Sequence, residues 1–425
     1  MNAVDYIHSL RTFGKKAELK NIQCLLSRLD NPQKDMNFIH IAGTNGKGSV
    51  SSMINSIFIE QNKKVGLFTS PFLECFNERI CVNNVPIPDA KLEHITARVR
   101  TEVDALATEG IYCTVFDVIC AVGFVYFKEQ QCDVVVLEVG LGGRFDATNV
   151  IDKTMCSVIC AIGLDHTEYL GETVSQIAFE KCGIIKPECP VVTYPLQTKD
   201  AMDVIVSSCK EKQAPLVVPD VDDLKIIESN IYGSRFIYRG REYGINLVGK
   251  YQIYNCLCAI ETAYLLGVDY NTVKAGLKKA QWKCRFEVFC AEGKTVVLDG
   301  AHNPHGLTAF FDSATEFFSD KKLHYVFGMV NDKDIENSAG IISNAEGSIT
   351  VTSVPSARGD NPELIFERIR SQRGDESVNY IPDNEAAVRY ALQTDSDVVC
   401  VLGSLYMVGA VRKFVENLSH NDKTI

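Results

Sequence analysis

The chain has 425 residues, 46% hydrophobic and 23% charged, a composition suited to a globular enzyme with two cores. Its net charge of −11 argues against broad nucleic-acid or anionic-membrane binding, so an anionic substrate must meet a local positive site, a metal ion or a helix N-terminus. No apolar run approaches membrane-spanning length, the N-terminus MNAVDYIHSL is unlike a secretory signal, and the 16 scattered cysteines lack CxxC spacing, which fits reduced thiols in a cytoplasm.

In chain order, the apolar segment 38–42 reads as a strand. It runs into HIAGTNGKGSVSS, His40 to Ser52, a glycine-rich turn that carries Lys47 into a helix read over 49–60. Backbone N–H groups and the helix N-terminus would face nucleotide phosphates there, and Lys47 would neutralise them. The residue after Lys47 is Gly48, so Ser49 becomes the candidate Mg²⁺ hydroxyl, one place later than in the general P-loop pattern. An ordinary strand-to-helix glycine turn is the other reading.

Strands follow at 64–68 and 134–139, with a helix at 115–127 between them; Ser70 comes just after the first. Val134 to Val139, VVVLEV, is nearly continuous in Val and Leu, as in a parallel strand covered on both faces. Glu138 within it needs a metal or a partner, for which Arg144 is available. The loop GLGGRFDATN, Gly140 to Asn149, comes next and contains Asp146. A strand at 157–162 leads to Asp165 and His166. Lys181 follows in FEKCGIIK, where Glu180 or another acid offers a plain ion pair, and a strand at 190–193 closes the series. This alternation predicts a doubly wound α/β sheet, with ligands beyond the carboxyl ends of its strands. Ser70, Glu138 and His166 offer mixed oxygen and nitrogen ligands for Mg²⁺, although imidazole is an unusual magnesium ligand.

Between 215 and 247 the texture changes. Segments 225–229, 235–238 and 243–247 alternate, Arg239-Gly240 marks a turn, and a small antiparallel β module attached to the first domain is expected. A helix is read over 251–266. A second βα series at 295–298, 324–327, 348–352, 378–381 and 398–402 predicts a C-terminal Rossmann-like α/β domain. The boundary is expected near 284–289, dividing the chain into 1–284 and 285–425. VVLDGAHNP, Val296 to Pro304, ends a strand with Asp299, suited to ribose hydroxyls, and His302, suited to nucleotide; an Asx-type turn accounts for the same residues. FGMVNDKD, Phe327 to Asp334, ends another strand in acids and a lysine, and there a solvated turn suffices. The polar tail 419–425 reads as loose.

Taken together these motifs resemble the folylpolyglutamate synthase/dihydrofolate synthase branch of the Mur ligases. The likeness covers nearly the whole chain: HIAGTNGKGS, TSPFLECFNERI (Thr69 to Ile80), LEVGLGGRFDATN (Leu137 to Asn149), IGLDHTEYLG (Ile162 to Gly171), EKCGIIKP (Glu180 to Pro187), LDGAHNP and GSLYMVG (Gly403 to Gly409). The resemblance implies an ATP-dependent ligase that adds L-glutamate to tetrahydrofolate, and to 7,8-dihydropteroate as a second acceptor. It implies that Gly43, Thr44, Asn45, Gly46, Lys47, Gly48 and Ser49 hold ATP, with Asn255, Arg285, Asp299 and His302. Ser49, Ser70, Glu138 and His166 would bind two Mg²⁺ ions, a monovalent cation is a further expectation, and Lys181 matches a lysine that the family carbamylates. Lys47, Glu138, His166 and Lys181 form the expected catalytic set. Thr114, Val115, Phe116 and Asp117, with Phe145, Asp146 and Ala147, match pterin-binding segments.

The departures from the commoner pattern are Tyr251 for histidine, Lys283-Cys284 for Pro-Gly, Asp117 for glutamate and Cys182 for alanine. The chemistry implied is phosphorylation of a carboxylate to an acyl phosphate, then attack by the neutral glutamate amine. Domain closure is expected to shield the acyl phosphate from water. A cytoplasmic monomer is expected. Two rivals remain: a cell-wall Mur-type amino-acid ligase, against which TSPFLECFNERI and GLGGRFDATN speak, and a non-catalytic P-loop nucleotide switch, which has no need of Glu138, His166 and Lys181 together.

Overall fold

The computed structural model describes residues 1–11, 19–331, 334–356, 361–374 and 377–422. Of the sequence expectations, Asp332 and Lys333 of the FGMVNDKD segment and tail residues 423–425 lie outside these. Among the described residues, no helix is long and apolar enough to cross a membrane.

The contacts of the chain divide it into two compact units. The first comprises Met1–Gly163, Thr167–Leu224 and Tyr254–Ala280. Its sheet has eight strands: β1 (Phe38–Ala42), β2 (Val65–Phe68), β3 (Ile80–Val82), β4 (Val85–Pro86), β5 (Val134–Glu138), β6 (Cys156–Ile159), β7 (Val191–Thr193) and β8 (Leu216–Val217), in the order β4-β3-β2-β5-β1-β6-β7-β8. The six strands from β2 to β8 in that order run parallel, and β3 turns back antiparallel to β2. Every residue of β1 and β5 is buried, as apolar runs in a doubly covered sheet require. Apolar residues of the sheet and its helices form two clusters, one with Phe38, Phe124, Val135 and Leu137, and one with Ala42, Ile159, Ile177 and Ile205.

Strand order reverses between β1 and β6. From β1 the chain crosses to one side to make β2, and from β6 to the other to make β7. Such a switch point opens a crevice at the carboxyl edge, where ligands of open α/β sheets bind. The loops after β1 and β6 meet there. Residues 160–162, expected as strand, are instead loop, because the Ala161 carbonyl accepts from Thr44 N–H at 2.8 Å and Asn45 N–H at 3.2 Å. That carbonyl serves the glycine turn, not a sheet ladder.

The second unit comprises Leu164–His166, Lys225–Ile253 and Gln281–Ile425. It carries a three-stranded sheet of β9 (Leu224–Asn230), β10 (Gly233–Tyr238) and β11 (Arg241–Ile245), ordered β11-β10-β9. Arg239 and Gly240, at φ 49° and 69°, form the two-residue turn that pairs Tyr238 with Arg241. The sequence attached this module to the N-terminal domain; by contacts it belongs with the C-terminal unit. The reason is packing: Ile231 and Val248 join the core of Phe286, Phe310 and Phe327, and Lys250 Nζ reaches Glu316 at 3.1 Å. The contact division falls at Ala280 and Gln281, a few residues before 284–285.

A six-stranded sheet completes this unit: β12 (Glu287–Ala291), β13 (Lys294–Leu298), β14 (Leu323–Phe327), β15 (Ser348–Val351), β16 (Val378–Tyr380) and β17 (Val398–Leu402), ordered β12-β13-β17-β14-β15-β16. All neighbours are parallel except the β12–β13 hairpin. The tail reading is corrected in part, since the last helix continues through Asp422.

Candidate functional site

The glycine turn after β1 is shaped by backbone demands that only glycine meets. Gly43 has φ 157°, and a Cβ there would stand 2.6 Å from Cys160 Cβ. Gly46, at φ 88°, is the N-cap of the Lys47–Glu60 helix, and a Cβ on it would meet Asn255 Oδ1 at 2.5 Å. The helix therefore begins at Lys47, two residues earlier than expected, with Asn255 pressed against its cap. Thr44 Oγ1 locks the turn further, donating to Gly163 O at 3.0 Å and accepting from Gly163 N–H at 3.1 Å. Ser49 is buried in the first turn. Lys47 Nζ folds back onto the carbonyls of Gly43 and Thr44, at 3.0 and 3.2 Å.

Three expected catalytic groups come together here. Lys181 is 4% exposed, and its Nζ donates to Gly43 O at 3.0 Å. Glu138, 3% exposed, ends β5 in register with Ile41, two residues short of Gly43. The Cys160 thiol, pushed up to about 12 by burial, lies in the field of Lys47, Glu138 and Lys181 together. Cys160 is thus buried against Gly43, beside this cluster. A lone cysteine in an apolar run gave no sign of it; the glycine at 43 was the available clue. Ser70, half-buried, follows β2, whose Phe68 pairs with Leu137 beside Glu138.

Arg144 pairs with Glu180 at 3.7 Å, and its guanidinium stacks 3.6 Å over the Phe179 ring. Glu180 is thus engaged by Arg144.

The expected folate segments also adjoin. Thr114 and Asp117 form a capping box at the head of the Val115–Glu129 helix: Asp117 Oδ2 accepts from Thr114 N–H and Oγ1, both at 2.8 Å, and Asp117 N–H donates to Thr114 Oγ1 at 3.2 Å. Burial raises the Asp117 carboxyl, opposed by the Thr114 donors. Val115, half-buried, opens that helix. Phe116 covers Gly140, where a Cβ would stand 2.5 Å from its ring. Across from it, Phe145 is 49% exposed and Ala147 is buried. Asp146 turns inward, its Oδ2 accepting from Leu141 N–H at 2.9 Å and its Oδ1 from Thr148 N–H at 2.9 Å and Thr148 Oγ1 at 2.5 Å. Burial holds the Asp146 carboxyl above its usual range against those bonds.

The C-terminal unit holds its own cluster. Asp299 is buried after β13; its Oδ2 accepts from Phe286 N–H and its Oδ1 from Ala301 N–H, both at 2.7 Å. Burial raises this carboxyl, and Arg285 pulls it back down. The Tyr251 hydroxyl, raised by burial and then by Asp299, shares that field. His302 Nδ1 lies 2.7 Å from Gly300 O. His166 groups with this unit. Its backbone N–H donates to Asp165 Oδ1 at 2.9 Å, while Asp165 Oδ2 accepts from Asn303 Nδ2 at 3.0 Å. Asn303, not singled out from sequence, also caps the Pro304–Phe318 helix.

Among the described residues, no group of three or more His, Cys, Asp or Glu side chains could hold a metal ion. Ser49 and Glu138 are hard oxygen donors beside a phosphate-type loop, a donor set that fits Mg²⁺.

Two family models match, the Mur ligase middle domain over residues 41–263 and the Mur ligase glutamate ligase domain over 284–405. The folylpolyglutamate synthase of Lacticaseibacillus casei is 34% identical, across 96% of this chain and 97% of its own. The dihydrofolate synthase/folylpolyglutamate synthase of Bacillus subtilis is 33% identical, across 97% and 98%. Among solved structures, Mycobacterium tuberculosis folylpolyglutamate synthase complexed with ADP and AMPPCP superposes with a TM-score of 0.88 at 27% identity, covering 97% of this chain and 98% of that one.

Proposed function

The chain belongs to the folylpolyglutamate synthase/dihydrofolate synthase family of Mur ligases, and from that premise we propose that it joins L-glutamate to tetrahydrofolate at the expense of ATP, with 7,8-dihydropteroate as a second acceptor. The observation that carries this reading is the gathering of Lys47, Glu138 and Lys181 around Gly43 at the carboxyl edge of β1 and β5.

A carboxylate resists attack by an amine because its leaving group is oxide. Phosphorylation of the folate carboxylate to an acyl phosphate removes that barrier and releases ADP; phosphate leaves when the neutral glutamate amine attacks. Phosphoryl transfer is mostly positioning and charge neutralisation. The N–H groups at the head of the Lys47–Glu60 helix face the phosphates, and Lys47 exchanges its two loop carbonyls for phosphate oxygens. Asn255, Arg285, Asp299 and His302 are assigned to ATP, and 114–117 with 145–147 to the folate. The division into 1–284 for ATP and folate and 285–425 for the ligase domain belongs to the same proposal.

Ser49, Ser70, Glu138 and His166 would hold two Mg²⁺ ions, which when bound neutralise charge on the transferring phosphoryl group. Lysine as an ammonium cannot ligate a cation, whereas a carbamate on Lys181 is an anionic oxygen donor. A monovalent cation completes the proposed set. The free state of all 16 cysteines supports a cytoplasmic enzyme, and a monomer is proposed.

Mass spectrometry of the product tests the substrate assignment. Tetrahydrofolate, and dihydropteroate in a parallel reaction, gain one glutamyl residue when ATP, Mg²⁺ and glutamate are present. Failure of both acceptors, with a nucleotide-linked sugar acid accepted instead, would establish the cell-wall type of ligase.

A further inference from the structure

His40 is a fully buried imidazole in the middle of β1, three residues before Gly43. Its neighbours Ile39 and Ile41 are what a central parallel strand calls for, and a histidine there costs desolvation unless it is hydrogen-bonded. The bond it makes is specific: Nε2 lies 2.8 Å from Thr148 Oγ1, and Thr148 Oγ1 donates in turn to Asp146 Oδ1 at 2.5 Å. Thr148 is itself fully buried.

Proton counting fixes the direction of this chain. A hydroxyl has one proton, and an ionised carboxylate has none. With the Thr148 proton committed to Asp146, Thr148 must accept from His40, so Nε2 carries a proton. Burial, and then the nearby Lys186 ammonium, hold His40 well below its ordinary range, in keeping with a neutral ring. Among the described residues, the buried Nδ1 has no hydrogen-bond partner.

The three side chains link the strand that delivers the glycine loop to the 140–149 loop that carries Phe145 and Ala147. The far end of that loop is tied elsewhere, by Asn149 Nδ2 to Arg144 O at 3.0 Å and Gly183 O at 3.1 Å, and by Lys186 Nζ to Asn149 O at 3.3 Å.

We propose that His40 is a positioning residue for folate binding: acting through Thr148 and Asp146, it holds the 140–149 loop against the strand that ends in the glycine turn. The proposal rests on the reading of 145–147 as folate contacts.

Steady-state kinetics on the full chain test it. His40→Phe and Thr148→Val each raise the folate KM about tenfold, the worth of one lost buried hydrogen bond, and leave the ATP KM within about twofold. His40→Gln, whose amide can donate where Nε2 did, brings the folate KM back to within about threefold of the parent. A merely structural role predicts otherwise: kcat falls with the folded fraction, the two KM values do not separate, and Gln rescues no better than Phe. Either that pattern or an unchanged folate KM in His40→Phe overturns the proposal. If those variants fail to fold, the imidazole ¹⁵N spectrum of the parent enzyme decides, since a proton on Nε2 supports the relay and one on Nδ1 refutes it. Phe145→Ala separates the two layers. It raises the folate KM if the loop contacts folate, and an unchanged value removes the loop assignment whatever the relay does.

Discussion

At the scale of single residues, the site depends on groups that have little freedom to be anything else. Gly46 combines φ 88° with a neighbour, Asn255 Oδ1, where a Cβ would stand. Gly46→Ala is expected to raise the ATP KM about tenfold or more, given a cost of roughly 1–3 kcal/mol for a non-glycine residue held there. An unchanged ATP KM in initial-rate measurements would show that the turn can relax. Lys181→Met should lower kcat at least about a hundredfold, because it removes both the cation and the site of the proposed carbamate. A carbamate ¹³C resonance in enzyme equilibrated with labelled bicarbonate, absent from Lys181→Met, would identify the modification; full activity in that variant would refute any role for Lys181. The sequence carried Lys47 and Glu138 plainly, because charge in an apolar strand end or glycine turn is conspicuous; Lys181, in the last turn of the Val174–Cys182 helix, was expected from the family resemblance. It could not disclose Cys160 or the pairing of Arg144 with Glu180, since these follow from which loops meet, not from residue type.

At the scale of elements, the Val115–Glu129 helix is largely apolar, so its start depends on the Thr114–Asp117 box. Thr114→Ala is expected to cost about 1 kcal/mol, visible as a lower urea midpoint at constant m-value. No shift would mean that packing alone sets the helix start. Long parallel strands were legible because both faces are buried: 38–42 and 398–402 are recovered residue for residue. The short strands β3, β4 and β8 were not, as two or three residues carry no periodicity. The antiparallel module was recognised from its alternation and its Arg239-Gly240 turn. Its allegiance to the C-terminal unit depends on Ile231 and Val248 finding an aromatic core, which alternation does not encode.

At the scale of the whole molecule, buried neutral histidines make stability depend on pH. Burial, and then Lys294, lower His324 to about 4, and its ring nitrogens bond Thr350 Oγ1 at 2.8 Å and Ser348 Oγ at 2.7 Å. A folded pKa below the unfolded value of about 6.5 stabilises fully above pH 6.5, and the benefit is lost as pH falls toward 4. The slope attributable to His324 approaches about 1.4 kcal/mol per pH unit in that window. Denaturation at pH 7 and pH 5 should therefore show a smaller loss in His324→Gln than in the parent; equal losses would contradict the assignment. The glycine turn alone suggests a nucleotide, and the buried Glu138 and Lys181 beside it are proposed to make it a ligase site. The most direct measurement is ADP release by the purified chain with ATP and Mg²⁺, adding glutamate and tetrahydrofolate singly and together. Release only when both are present, abolished by Lys47→Ala, is the predicted result. Equal release without glutamate or without the folate would contradict the ligase reading and leave a nucleotide switch.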